Sequence, residues 1–142
     1  MSVHTPWLPP WLQGAWEVPG VTDVLVNAPD EIWIDRGLGL ERWEPAVGGV
    51  PVVVSAGEVR EVAVRLASLG GRRLDDASPM VDARLPDGSR LHAVLPPLSQ
   101  ASAVLSLRAV RAHALGLEDM VLAGTVAPEL APVLAGLVQA HA

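Results

Sequence analysis

Apolar and polar residues alternate in several short runs near the start of the chain. Residues 21–27, 31–36 and 40–44 read VTDVLVN, EIWIDR and LERWE, and the turn sequences APDE and GLG separate them. Side chains in a strand point alternately to the two faces of a sheet, so Val24 and Val26 share one face. This pattern predicts a three-stranded antiparallel meander.

A second set of alternating runs carries an unusual number of arginines. MVDARL and SRLHAVL are joined by the turn Pro86-Asp87-Gly88, and AVLSLR follows at residues 103–108. Period two places the apolar residues of each run on one face of the sheet. Arg84, Arg90 and Arg108 then all lie on the opposite face.

A helix is predicted between the two sets of strands. Residues 55–58 read SAGE, a capping box in which a serine is followed three residues later by glutamate. The apolar residues behind it fall at helical spacing: Val59, Val62, Ala63, Leu66 and Leu69. Gly70 and Gly71 are typical of a helix end.

The two ends of the chain differ from this central part. The first 20 residues contain four prolines and three tryptophans, Trp7, Trp11 and Trp16. They predict short helical or extended pieces whose tryptophans either pack on the edge of the core or form a docking surface for a partner. Near the other end, LEDMVLAG (117–124) predicts a short helix. PELAPVLAGLVQAH (128–141) predicts a helix that Pro132 kinks or delays.

Composition and charge narrow the possible functions. The chain has 142 residues, half of them apolar and 18% charged, which is typical of a globular domain with a core. Its net charge of −6 argues against a broad basic field for nucleic acid. It has no cysteine, so no disulfide framework is possible. The N-terminus lacks the pattern of a signal peptide, and no apolar run reaches the length of a membrane helix.

No set of catalytic residues is recognisable. All ten basic residues are arginines, so the lysine of a phosphate-binding loop is absent along with its motif. The four histidines lack metal-ligand spacing, and no serine lies in a nucleophile-elbow motif. Asp75 and Asp76 are expected to be loop residues that pair with Arg72 or Arg73. An independent enzyme is therefore the least favoured class.

The arginines of the second set leave two interpretations. Arginines on a sheet surface usually form ion pairs of little energetic value. Alternatively, the planar guanidinium group suits phosphate oxygens, which favours an anion site at Arg90 and Arg108.

Three separated motifs, in order, resemble one known family. They are VTDVLVNAPDEIWIDRG, RRLDDASPMVDARLPDGSRLHAVLPPLSQASAVLSLR and LEDMVLAGTVAPEL. They are similar to the N-terminal region of CpaF/TadA-type secretion ATPases, within the type II/type IV secretion traffic ATPase superfamily. The resemblance covers about residues 20–140. Members usually carry a longer helical region where this chain has its Trp/Pro-rich start.

The resemblance implies a fold and a domain organisation. Residues 1–20 would form a Trp/Pro-rich segment and residues 21–109 an α+β, PAS-like domain with a mainly antiparallel sheet and flanking helices. Residues 110–142 would form a linker and the first helix of a RecA-like motor domain that is missing from this chain.

The resemblance also implies a function and partners. Family members bind ATP and Mg²⁺, assemble as homo-hexamers in the cytoplasm, and work at the inner-membrane platform of a secretion or pilus machine. By motif, Arg90 and Arg108, and with a weaker match Arg84, would contact the ATP phosphates. The chain alone would be non-catalytic and bind no cofactor, and no nucleic acid is expected. The alternative is a stand-alone PAS-like binding or adaptor module without a motor.

Overall fold

A computed structural model describes residues 5–110, 121–122, 124 and 127–140. The chain divides into two compact units, Met1–Val110 and Arg111–Ala142. In chain order, the elements of the first unit are α1 (Pro10–Trp16), β1 (Asp23–Ala28), β2 (Glu31–Asp35), β3 (Leu40–Trp43), β4 (Ala46–Val47), β5 (Val50–Pro51), α2 (Ala56–Leu69), β6 (Met80–Arg84), β7 (Arg90–Val94) and β8 (Val104–Arg108).

Six of the strands form one antiparallel sheet with the order β3-β2-β1-β8-β7-β6. It consists of the meander β1-β2-β3 and the meander β6-β7-β8, which meet where β1 pairs with β8. Strands β4 and β5 form a separate small hairpin. The predicted α+β class with a mainly antiparallel sheet and flanking helices is confirmed.

The turn between β6 and β7 fixes the register of the arginine-bearing hairpin. The Leu85 amide donates to the Ser89 carbonyl at 2.8 Å, which leaves a three-residue loop. Gly88 adopts φ 88°, a left-handed conformation that such loops need and that glycine takes without strain. The Asp87 carboxylate accepts from the Ser89 amide at 2.9 Å. This loop length places Arg84 directly opposite Arg90.

Helix α2 covers the inner face of the sheet. It begins where the Ser55 hydroxyl accepts from the Glu58 amide at 3.1 Å, as the capping box predicts. It packs on β1, β6, β7 and β8. Its buried residues are Val59, Val62, Ala63, Leu66 and Ala67, whereas Leu69, at the end of the predicted apolar stripe, is 43% exposed.

The end of α2 lies very close to strand β6. A Cβ atom added at Gly70 would stand 2.8 Å from the Ala83 Cβ and 3.1 Å from the Arg84 carbonyl oxygen. The glycine is therefore required by the close approach of the chain, not only by the helix end.

The tryptophan-rich start is part of the core. Trp11, Leu8 and Leu12 are buried, and Trp7 and Trp16 are partly buried against the same cluster. Of the two interpretations of these tryptophans, the structure supports packing on the core.

In the second unit, a short 3₁₀ helix (Pro128–Leu130) leads into α3 (Ala131–Ala140). Pro132 lies in the first turn of α3, where its missing N–H costs no helical hydrogen bond, so the helix starts late as predicted. The prediction of a helix over 117–124 lies largely outside the described residues. None of the helices described combines the length and apolar character needed to cross a membrane.

Candidate functional site

The outer face of the sheet carries an uninterrupted row of arginines. Arg84 pairs with Arg90 across β6 and β7, and Arg90 pairs with Arg108 across β7 and β8. All three residues are exposed, whereas the residue next to each one in its strand, Ala83, Leu91 or Leu107, is buried. The period-two prediction that they share one face is confirmed, and we call these three residues the arginine row.

The row places like charges side by side. Residues directly opposite each other in an antiparallel pair have Cβ atoms about 4.5–5.5 Å apart, and like charges there are destabilising. A row of three guanidinium groups therefore needs nearby anions. Two carboxylates of this chain supply part of that charge.

Asp82 contacts the middle of the arginine row. Its Oδ2 accepts from Nη2 of Arg90 at 2.9 Å. Its Oδ1 lies 3.5 Å from Nε2 of His92, the residue directly opposite Asp82 in the sheet. One carboxylate is thus shared between two side chains of β7, and the Arg90 side chain remains 53% exposed.

Asp23 contacts Arg108 in a different way. It lies directly opposite Arg108 on β1, and its Oδ1 accepts from Nε of Arg108 at 3.1 Å. The Asp23 side chain is 21% exposed, whereas that of Arg108 is 74% exposed. The carboxylate is sheltered by the sheet while the guanidinium extends into solvent.

Arg84 stands at the edge of the sheet. Within the described part of the chain, its side chain takes part in no hydrogen bond or ion pair. The arginine row therefore carries three positive charges against two directly paired carboxylates. The excess lies on β6, in a chain whose overall charge is negative.

Other charged residues considered from the sequence have structural partners. Asp75 pairs with Arg73 and accepts from the amides of Ala77 and Ser78, and the Arg73 hydrogen bond lowers the pKa of Asp75. Asp76 pairs instead with Arg60 of α2, at 2.9 Å. Among the residues that the structure describes, no three or more histidine, aspartate or glutamate side chains form a group that could hold a metal ion.

Sequence reasoning missed the partners of the arginine row. Asp82 alternates with Arg84 along β6, so the shared face of the two was recognisable. Asp23 is 85 residues from Arg108, and only the β1–β8 pairing brings them together.

The comparisons with known proteins agree with the motifs. No family model matches the chain. Two proteins of Mycobacterium tuberculosis, from strains CDC 1551 and H37Rv, are named for conjugal transfer and are each 42% identical over 128 residues. An uncharacterised protein of Methanocaldococcus jannaschii is 33% identical over 75 residues, 53% of this chain and 10% of its own. The matched segment covers 86% of this chain and 35% of each mycobacterial protein, so the chain spans about a third of their length.

A solved structure shares the fold. The VirB11 ATPase from the Brucella suis type IV secretion system, crystallised in complex with sulphate, matches 82% of this chain and 33% of its own with a TM-score of 0.68. At 24% identity this likeness speaks for the fold alone. Sequence and fold together show that the chain resembles the N-terminal domain of a secretion ATPase, which confirms the family resemblance predicted from its motifs.

Proposed function

We propose that this chain is the N-terminal, PAS-like domain of a secretion or conjugation ATPase, and that the arginine row contacts the phosphates of ATP. The observation that carries the proposal is the row itself. Arg84, Arg90 and Arg108 are consecutive cross-strand neighbours on one exposed face. The similarity to proteins named for conjugal transfer supplies the functional context.

Stability does not account for the row. Exposed ion pairs contribute about 0–1 kcal/mol each, and the Arg84–Arg90 and Arg90–Arg108 neighbours repel. An anion with several oxygens would offset that repulsion. A hydrogen bond from a guanidinium to an ionised oxygen contributes about 1.5–3 kcal/mol, so two or three such contacts outweigh the cost of the row.

The remaining parts of the proposal concern the whole enzyme. A RecA-like motor domain would supply the phosphate loop and the Mg²⁺ site, and ATP would lie in the cleft between that domain and the arginine row. The enzyme would be a cytoplasmic homo-hexamer at the inner-membrane platform of a secretion, conjugation or pilus machine. Phosphoryl transfer requires the phosphate loop and Mg²⁺, so the present chain alone would hydrolyse no ATP.

The experiment compares arginine variants in a protein that joins this domain to its motor. Arg90→Ala and Arg108→Ala should each lower the ATPase rate about tenfold, because a contact that strengthens with developing phosphate charge is lost. Arg→Lys should restore only part of the rate, since a point charge does not replace the planar fork.

The matched control is Arg65→Ala, an exposed arginine of α2, which should leave turnover unchanged. Folded hexamers of both row variants that hydrolyse ATP at the parent rate would contradict the proposal. The gene sequence gives a further test. A glycine-rich loop with Lys-Ser/Thr encoded after residue 142 supports the motor, and a stop codon there supports an adaptor module.

A further inference from the structure

The two carboxylates beside the arginine row contact their arginines at different nitrogens. Asp23 binds Nε of Arg108, whereas Asp82 binds Nη2 of Arg90. The difference matters because a guanidinium group can bind two oxygens at once through either of two edges. One edge is formed by Nη1 and Nη2, and the other by Nε and Nη2.

Asp23 leaves one bidentate edge of Arg108 complete. With Nε engaged, Nη1 and Nη2 remain available together, and the side chain is 74% exposed. The carboxylate itself is 21% exposed and lies on the neighbouring strand, directly opposite. Holding Nε in this way restricts a long side chain that would otherwise lose rotamer freedom when an anion binds.

Asp82 has the opposite relation to Arg90. Nη2 carries one N–H on each bidentate edge, so the Asp82 carboxylate stands beside both edges and its negative charge lies close to a phosphate bound at either one. Asp82 is also 49% exposed and is shared with His92 at 3.5 Å. An incoming phosphate must displace it or share the nitrogen with it.

We infer that Asp23 is a positioning residue that holds Arg108 ready for an oligophosphate, whereas Asp82 competes with the oligophosphate for Arg90. This inference rests on the proposed phosphate-binding function. It has a distinctive consequence, because Asp→Asn removes one negative charge at either position. If the two carboxylates acted only through their charge, both substitutions would strengthen anion binding. If Asp23 positions Arg108, Asp23→Asn weakens it instead.

The experiment titrates the 142-residue chain with inorganic tripolyphosphate at low salt and follows the arginine Nε–H signals by NMR. Asp82→Asn should tighten binding about two- to fivefold, the range expected for releasing an exposed ion pair. Asp23→Asn should weaken binding about threefold, and in the free protein it should shift the Arg108 Nε–H signal towards that of an unpaired arginine.

Asp76→Asn is the matched control, with the same change of charge at a carboxylate that pairs with Arg60, away from the row. It should leave the affinity unchanged. Arg90→Ala and Arg108→Ala should both weaken binding. These two variants test the phosphate-binding role of the row separately from the roles of Asp23 and Asp82.

If both alanine variants bind like the parent, the phosphate-binding role of the row fails and the inference fails with it. If the alanine variants weaken binding but Asp23→Asn tightens it or leaves it unchanged, the inference alone is overturned. The inference is also overturned if the arginine Nε–H signals of the parent chain show no saturable change at millimolar tripolyphosphate.

Discussion

The two faces of the sheet use neighbouring residues of the same strands in opposite ways. On the inner face, Leu91 and Leu107 are paired across β7 and β8 and are completely buried. One residue away, Arg90 and Arg108 are paired on the outer face and are exposed. This difference shows that the buried side chains of the inner face hold the fold together. The outer face can carry residues suited to binding, because its side chains are not needed for the core.

The largest effect expected from this difference is on the inner face. Leu107→Ala should lower the free energy of unfolding by about 2–5 kcal/mol, because it removes a fully buried side chain and leaves a cavity under α2. Urea unfolding followed by circular dichroism measures it. A loss comparable to that of Arg108→Ala would mean that the two faces do not differ.

A smaller effect is expected where α2 approaches the edge strand. Gly70→Ala should destabilise the domain by about 1–3 kcal/mol, since the new Cβ would collide with the backbone and the Cβ of β6. Gly57→Ala in the first turn of α2 is the control, because a Cβ there meets only the Ser55 hydroxyl, at 3.8 Å. Equal stability of the two variants in the same unfolding assay would refute the close contact.

On the outer face, Arg90→Ala and Arg108→Ala should each change the free energy of unfolding by less than about 1 kcal/mol, because the lost ion pairs are exposed. Matched urea curves on the parent and both variants provide the measurement. A loss of several kcal/mol from either variant would make the row a structural element and remove the reason for assigning it to binding.

The smallest effect is a dependence on pH in the loop that leads into β6. The Arg73 hydrogen bond lowers the pKa of Asp75 below its ordinary value of 3.8. The stability that this charge provides is present above pH 3.8 and is lost as the pH falls through the lowered pKa of the folded state. Asp75→Asn should therefore melt at a lower temperature than the parent at neutral pH, and the two melting temperatures should converge in acid. A difference in melting temperature that widens in acid would contradict the stabilising role of the Asp75 charge.

Much of the fold could be predicted from local patterns, and the site only in part. Period two placed Arg84, Arg90 and Arg108 on one face, and Pro86-Asp87-Gly88 indicated the hairpin that sets Arg84 against Arg90. The register of Arg90 against Arg108 was not predictable, because the irregular segment 95–103 joins their strands. A connection of that kind does not fix which residues are opposite each other.

The pairing of Asp23 with Arg108 was even less accessible to sequence reasoning. It depends on β8 lying next to β1 in the sheet. That order is a property of the tertiary topology and is not encoded in the alternation of residues within either strand. Local periodicity carries no information about which strand of each meander pairs with the other meander. The carboxylate that contacts Arg108 therefore emerged only with the tertiary structure.

The β1–β8 pairing also affects the order in which the domain assembles. Each meander joins strands close in sequence, whereas Asp23 and Arg108 are separated by 85 residues. Contacts between distant residues must overcome a larger loop-closure entropy, and domains rich in them fold more slowly. We expect the two meanders to form before β1 and β8 join, so a partly folded chain would contain the Arg84–Arg90 hairpin without the Asp23–Arg108 contact. Phosphate binding that needs the Asp23–Arg108 contact would then report that folding has finished.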